Sequence, residues 1–189
     1  MSYAQRQHTM TAAEFLAWEA TQQERHEFVD GEVFAMAGAE ARHVTTSMNV
    51  AFALRQRLSG SPCRTFMSDM KLAAAHGNNF FYPDVFVTCS AADRKDPLVM
   101  REPTLIVEVL SPSTAAYDLG EKFARYREIA SLREIAFIDL DARRTEVFRR
   151  GQDTDAPWTL HSFARGADVR LASVDLTLTP AALFADVDP

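Results

Sequence analysis

The sequence predicts a mixed α/β fold with a central β-sheet flanked by helices, on three observations. Two near-continuous apolar runs, 82–87 (YPDVFV) and 104–110 (TLIVEVL), have the composition of strands buried on both faces. Segments of helical period alternate with the strand-like runs along the chain. An Asp30-Gly31 pair between two strand-like stretches marks an N-terminal hairpin. With 189 residues, 47% hydrophobic, the chain can bury a substantial single core. The expected domain spans 9–187 behind a polar tail, 1–8.

Each element follows from local chemistry. Thr11 with Glu14 three residues later forms a capping box, and Phe15, Leu16 and Trp18 give a short amphipathic helix ending near 21. Strand-like residues 25–29 and 32–36 flank the Asp-Gly turn. Val44, Met48, Ala51, Phe52, Leu54 and Leu58 recur at helical spacing, which predicts an amphipathic helix over 43–58. Gly60-Ser61-Pro62 stops it. Residues 63–74 read as a strand with polar Asp69 and Lys71, 76–79 as a turn, and 80–89 as the first apolar strand. Residues 90–102 read as a surface loop. After the second apolar strand, Asp118 with Glu121 forms another capping box, read as the start of a helix over 119–129 with Phe123, Tyr126 and Ile129 inward. A strand over 134–140, an antiparallel pair over 144–150 and 158–164, a short strand over 174–178 and a helical turn over 180–184 make a C-terminal antiparallel meander.

Charge and cysteine content exclude several classes. A net charge of −6 argues against a tight, non-specific nucleic-acid binder and leaves room for a local basic surface only. Residues 121–150 carry eight Lys/Arg against six Asp/Glu, net +2. Within them Arg125, Arg127 and Arg133 are candidates to meet phosphates, and a solvated face with local ion pairs is an equal reading. Cys63 and Cys89 lack CxxC spacing, so neither a disulfide framework nor a finger-type zinc site is expected, and each reads as a buried thiol. No apolar run approaches the length of a membrane span, and the first eight residues lack the apolar centre of a signal peptide. The expected setting is a reducing cytoplasm. Trp158, Leu160 and Phe163 in the meander serve either core packing or a homodimer surface.

The chemistry centres on two carboxylates placed where stability alone would not put them. Asp84 opens the first apolar strand and Glu108 lies well inside the second. Burying an ionised carboxylate is costly unless a cation or hydrogen bonds compensate. On neighbouring strands the two could converge on a divalent cation, and hard oxygen ligands suit Mg²⁺ or Mn²⁺. The plainer reading is strand-end carboxylates satisfied by backbone or arginine. Lys122 lies early in the following helix, where the positive helix end disfavours a cation by about 0.3–1 kcal/mol. Lys122 and Tyr126 share a helix face, so an inward Tyr126 carries Lys122 toward Glu108. Asp118 reads first as the helix N-cap, with a place near the metal as the lesser reading. Strand alternation puts Glu27 on one face of the hairpin with Val29, turned either to the site or to solvent. His43 opens its helix either exposed or at the edge of the site.

These residues resemble the Uma2 family, a member of the PD-(D/E)xK restriction-endonuclease-like superfamily. The similarity rests on Tyr82-Pro83-Asp84-Val85, on Val107-Glu108-Val109-Leu110-Ser111-Pro112-Ser113-Thr114, and on Asp118, Lys122 and Tyr126. The hairpin His26–Glu32 and the stretch 131–134 resemble it too, so the similarity covers roughly 9–187. It implies a restriction-endonuclease-like core with Asp84 and Glu108 as metal ligands, Glu27 as a further ligand, and Lys122 as the catalytic lysine. The chain departs from the superfamily pattern two residues after Glu108, where Leu110 stands in place of the strand lysine. Lys122 is then the substitute, reaching the same point from the helix. The implied activity is metal-assisted hydrolysis of phosphodiester bonds in nucleic acid, DNA favoured. Two rivals stand beside it: a non-catalytic binding or assembly protein on the same fold, and a metal-dependent hydrolase of small phosphoesters.

Overall fold

The computed structural model describes residues 10–187 apart from 37, 113, 152, 154 and 155. The predicted tail 1–8 and Ser113 lie outside the described residues. Helix α1 (Ala12–Glu19) starts at the expected capping box: the Glu14 amide donates to Thr11 Oγ1 at 3.2 Å and the Thr11 amide donates to Glu14 Oε2 at 2.8 Å. Strands β1 (His26–Val29) and β2 (Glu32–Ala35) form the hairpin. Asp30 and Gly31 both take positive φ, 50° and 92°, which is what a two-residue turn matched to strand twist demands. Helix α2 (Ala41–Arg57) follows, then β3 (Arg64–Met67), β4 (Lys71–Ala74), β5 (Asn79–Phe81), β6 (Val85–Thr88), β7 (Val99–Met100) and β8 (Pro103–Leu110). A helical connection runs through α3 (Ala115–Tyr117), a π turn (Asp118–Lys122) and α4 (Phe123–Arg127). Strands β9 (Glu134–Asp139), β10 (Arg144–Arg150), β11 (Trp158–Phe163), β12 (Val169–Leu171) and β13 (Leu176–Leu178) lead to α5 (Pro180–Leu183).

The central sheet has the order β11-β10-β9-β8-β6-β3 and is mixed, because β8 and β9 run parallel. A parallel pair needs a crossover, and the α3–α4 segment supplies it over one end of β8. One sheet face packs Val85, Val87, Leu105, Val107 and Val109 against Val50 and Leu54 of α2. The other packs Phe86, Ile106, Ile135 and Phe137 against Tyr126 and Ile129. The apolar runs are thus covered on both sides, as their composition implied.

A second sheet, β2-β1-β5-β4-β7, departs from the single-sheet expectation. Two predicted strands are each cut in two, and the halves join different sheets. Residues 63–74 break at a turn closed by the Met70 amide donating to the Met67 carbonyl at 2.9 Å. Residues 80–89 break at Pro83, which has no N–H to give a ladder. Asp84 therefore sits at the seam between the sheets. The predicted loop 90–102 contains β7, and β12 is a further strand that the sequence reading leaves out.

Two other expectations change. Cys63 and Cys89 are a disulfide and not two separate thiols. They flank the β3–β6 ladder, where Arg64 faces Thr88, so the next rung brings them together; a separation of 26 residues in sequence gives no sign of that pairing. Helix α2 is rotated from its predicted face. Val50 and Leu54 are buried along with Thr46 and Ser47, while Val44, Met48 and Phe52 stay 51%, 54% and 62% exposed. Thr46 and Ser47 can face the core because their hydroxyls donate to the carbonyls of Arg42 and His43, at 2.9 and 3.0 Å. In the meander, Trp158 packs beside Phe123 and under the Arg150 guanidinium, and Phe163 packs on the core, leaving Leu160 exposed. Among the described residues, no helix is long and apolar enough to cross a membrane.

Candidate active site

Antiparallel pairing of Val85 with Val107 puts Asp84 beside Glu108 at the seam. The Asp84 amide donates to Glu108 Oε2 at 3.2 Å. Asp84 Oδ2 accepts from the Val109 amide at 2.7 Å and lies 2.8 Å from His43 Nε2. Glu108 Oε1 accepts from the Tyr126 hydroxyl at 2.7 Å and lies 3.1 Å from Lys122 Nζ. The Lys122 ammonium also stands 3.0 Å from Glu27 Oε1 and 3.7 Å from Asp118 Oδ1. Glu27, Glu108, Asp118 and Lys122 are all buried. They line one wall of a cleft of about 640 Å³, with Asp84, His43, Tyr82 and Tyr117 on the wall as well.

Glu27, Glu108 and Asp118 share one ammonium here with Asp84 beside them, and the titration of the group reflects it. Burial and then the neighbouring Glu108 charge push the Asp84 carboxyl up to about 8, against the opposing pull of the Val109 amide. Burial and Glu108 likewise push Asp118 up to about 6. Burial alone would lower Lys122, but Glu108, Glu27 and Asp118 together hold it well above the ordinary lysine range, so it stays charged. Burial, partly offset by Glu108 and Glu40, lowers His43. Burial beside Glu108 raises Tyr126, which remains a phenol donor, and burial raises Tyr117 to about 12.

Most of the candidate residues meet at this point. Tyr126 is inward and brings Lys122 to Glu108, as helical spacing required. Glu27 faces the cleft, because the alternation that sends Phe28 into the α1 core sends Glu27 and Val29 the other way. His43 takes the position at the edge of the site. Asp118 does not cap a helix. Helical geometry already begins at Ala115, and Asp118 lies in the π turn with its carboxylate toward Lys122, one turn on. Lys122 is accordingly not in a first turn. Single π turns of this kind recur at functional sites.

The three arginines do not reach the cleft lining. Arg125 pairs with Asp30, the Arg127 guanidinium stacks over Phe123 at 4.9 Å, and Arg133 packs near the start of β8. The basic side chain at the rim is Arg42, held by Glu40 at 3.0 Å and Asp141 at 2.5 Å. Sequence reasoning missed Arg42, Tyr82 and Tyr117. Their one sequence signal is adjacency: each lies within two residues of His43, Asp84 or Asp118.

The donor set suits a divalent cation as a two-carboxylate site and not as a protein cage. Asp84 and Glu108 offer adjacent hard oxygens, and the Asp84 carboxyl, raised by burial and then by the Glu108 charge, is one that a bound cation would bring back down. Among the described residues, no three His, Cys, Asp or Glu side chains converge into a ready coordination sphere. Lys122 Nζ fills the middle of the Glu27, Glu108 and Asp118 group, so water and substrate oxygens would have to complete the shell.

A nuclease-type α/β fold with carboxylates gathered at the end of its central sheet is the class these features define. A solved structure described as a nuclease ("putative nuclease belonging to DUF820") from Anabaena variabilis superposes with a TM-score of 0.76 at 17% identity, covering 93% of this chain and 98% of that one. The family model Uma2, described as "Putative restriction endonuclease", matches residues 12–181, and the chain belongs to that family. Two relatives from Synechocystis sp. are similar. The uncharacterized protein slr1290 is 33% identical over 89% of this chain and 87% of its own length. The uncharacterized protein sll1609 is 36% identical over 76% and 82%.

Proposed function

We propose that the chain is a divalent-cation-dependent endonuclease that hydrolyses phosphodiester bonds, with DNA as the favoured substrate and Mg²⁺ or Mn²⁺ as the cofactor. The observation that carries this reading is the Asp84–Glu108 pair: two adjacent carboxylates at a cleft, with a buried ammonium beside them. Membership of a family described as a restriction endonuclease supports it. Asp84 and Glu108 would hold the cation, and Glu27, the further candidate ligand, would have to leave the Lys122 ammonium to join them. When bound, the cation supplies Lewis acidity toward a phosphate oxygen. Lys122 stays protonated and offers a fixed positive charge 3.1 Å from Glu108, suited to the charge that builds on a phosphate in the transition state. Tyr126 fixes the orientation of Glu108 through its hydroxyl. His43 holds Asp84 from the opposite side.

The test is cleavage of a panel of linear, branched and single-stranded DNA, RNA and small phosphoesters with Mg²⁺ or Mn²⁺ and with EDTA. Metal-dependent cuts in DNA that fall by about 10²–10³-fold in Asp84→Asn support the reading. Cleavage confined to small phosphoesters would instead make the chain a small-molecule hydrolase. A non-catalytic binding role has one observation in its favour, the lack of a ready three-donor cluster among the described residues. It predicts nucleic-acid binding or assembly with no cleavage, unchanged in Asp84→Asn.

A further inference from the structure

Helix α2 has two apolar faces. Val50 and Leu54 cover the central sheet, while Val44, Met48 and Phe52 form a second stripe at i, i+4 and i+8 that nothing among the described residues covers. Such a row lies along one side of a helix. Single exposed apolar residues are ordinary, but three large ones in line on a 17-residue helix form a patch of the kind that marks an interface.

We infer that this face docks a second copy of the chain, with the two α2 helices packed antiparallel about a twofold axis at Met48. The stripe is its own complement. Met48 lies midway between Val44 and Phe52, so a twofold there sets Met48 on Met48 and Val44 against Phe52 in both directions, as an isologous interface requires. The flanking charges agree. Glu40 precedes the helix with its side chain 73% exposed on one side of its pair with Arg42, and Arg55 is exposed near the other end with no ion-pair partner among the described residues. A twofold at Met48 sets Glu40 of each copy opposite Gln56 of the other, one residue from Arg55, whereas parallel packing would set like charges together. The same arrangement places opposite helix ends side by side, which also suits the helix dipoles. His43 and Arg42 at the start of α2 belong to the cleft, so the interface borders both sites. The proposal does not depend on nuclease activity, because it is read from molecular mass.

Light scattering on the full chain across about 1–100 µM should give twice the monomer mass. Met48→Glu puts two carboxylates face to face on the axis and should weaken the dimer at least 100-fold. The thermal midpoint of the monomer should change little, since Met48 is 54% exposed. Met48→Cys under mild oxidation should give a covalent dimer, because residue 48 meets itself. Leu160→Cys, on the exposed meander, should not. Glu40→Arg should weaken the dimer, and Glu40→Arg with Arg55→Glu should restore it. A monomer throughout the range, a dimer indifferent to Met48→Glu, or cross-linking through residue 160 in place of 48 would overturn the proposal.

Discussion

Two buried acidic regions of the molecule look alike by composition and differ in how their charge is met. Glu134, at the start of β9, is 2% exposed. It accepts from Arg149 Nε at 2.6 Å and from the amides of Ala172 and Ser173 at 3.0 and 2.6 Å. One carboxylate there has its own cation and two backbone donors, and every donor comes from the fold itself. In the cleft, Glu27, Asp84, Glu108 and Asp118 divide one ammonium, one imidazole, one phenol, the Thr114 hydroxyl and two amides among them. A satisfied carboxylate holds structure together. A crowded group that shares one lysine is where the proposed cation would bring charge. The difference lies in the cations: Glu134 has Arg149 to itself, while Glu27, Glu108 and Asp118 share Lys122 and the half-buried Asp84 has only His43.

The comparison can be broken by substitution, and the largest effect should come from the shared cation. Lys122→Met leaves Glu27 and Glu108 buried without their ammonium and should cost about 3–5 kcal/mol in a denaturant titration. An unchanged midpoint would mean that Lys122 is not the charge holding the cluster. Glu134→Gln should lower stability by about 1.5–3 kcal/mol, since it weakens a charged hydrogen bond in a fully paired site. It should leave any cleavage activity intact.

Asp84→Asn should move stability the other way, and the sign follows from linkage. An ordinary carboxyl near 3.8 that rises to about 8 in the fold binds its proton more tightly when folded. Its favourable contribution is full below about 4 and is lost as pH rises through 8. Asp118, raised to about 6, acts in the same direction over the lower part of that window. The metal-free protein should therefore lose stability from pH 5 to pH 8.5. Asp84→Asn should flatten that decline and raise stability at pH 8.5 by on the order of 1 kcal/mol, a sign opposite to that of Glu134→Gln. Calorimetry at the two pH values reads this directly. The smallest effect should be Mg²⁺ or Mn²⁺ raising the midpoint of the parent more at pH 8.5 than at pH 5, and raising that of Asp84→Asn hardly at all.

Much of this was legible in the chain because it is local. The Thr11–Glu14 capping box, the Asp30-Gly31 turn and the two apolar runs each act through neighbours a few residues apart. Helical spacing tied Lys122 to Tyr126, and an acidic residue inside each apolar run singled out Asp84 and Glu108. Asp118 was misassigned because a capping pattern with Glu121 looks the same whether or not an earlier turn of helix precedes it. The face of α2 was misread because large side chains outweigh Thr46 and Ser47 in any hydropathy reading, although their hydroxyls return to the helix backbone. The Cys63–Cys89 bond was invisible because β3 and β6 pair across a second sheet's worth of intervening chain.

By itself, then, the sequence determined the class of fold, its main helices and strands, and the two carboxylates on which the proposed chemistry rests. These depend on short-range periodicity and on the cost of burying charge. Only the tertiary structure decided that Pro83 would divide one apolar run between two sheets and leave Asp84 at their seam. It alone turned Glu27, Asp118 and His43 into the same cleft and set a single lysine among the acids. Those outcomes depend on how strands far apart in sequence pair and how a crossover helix lies over them, which no local pattern specifies.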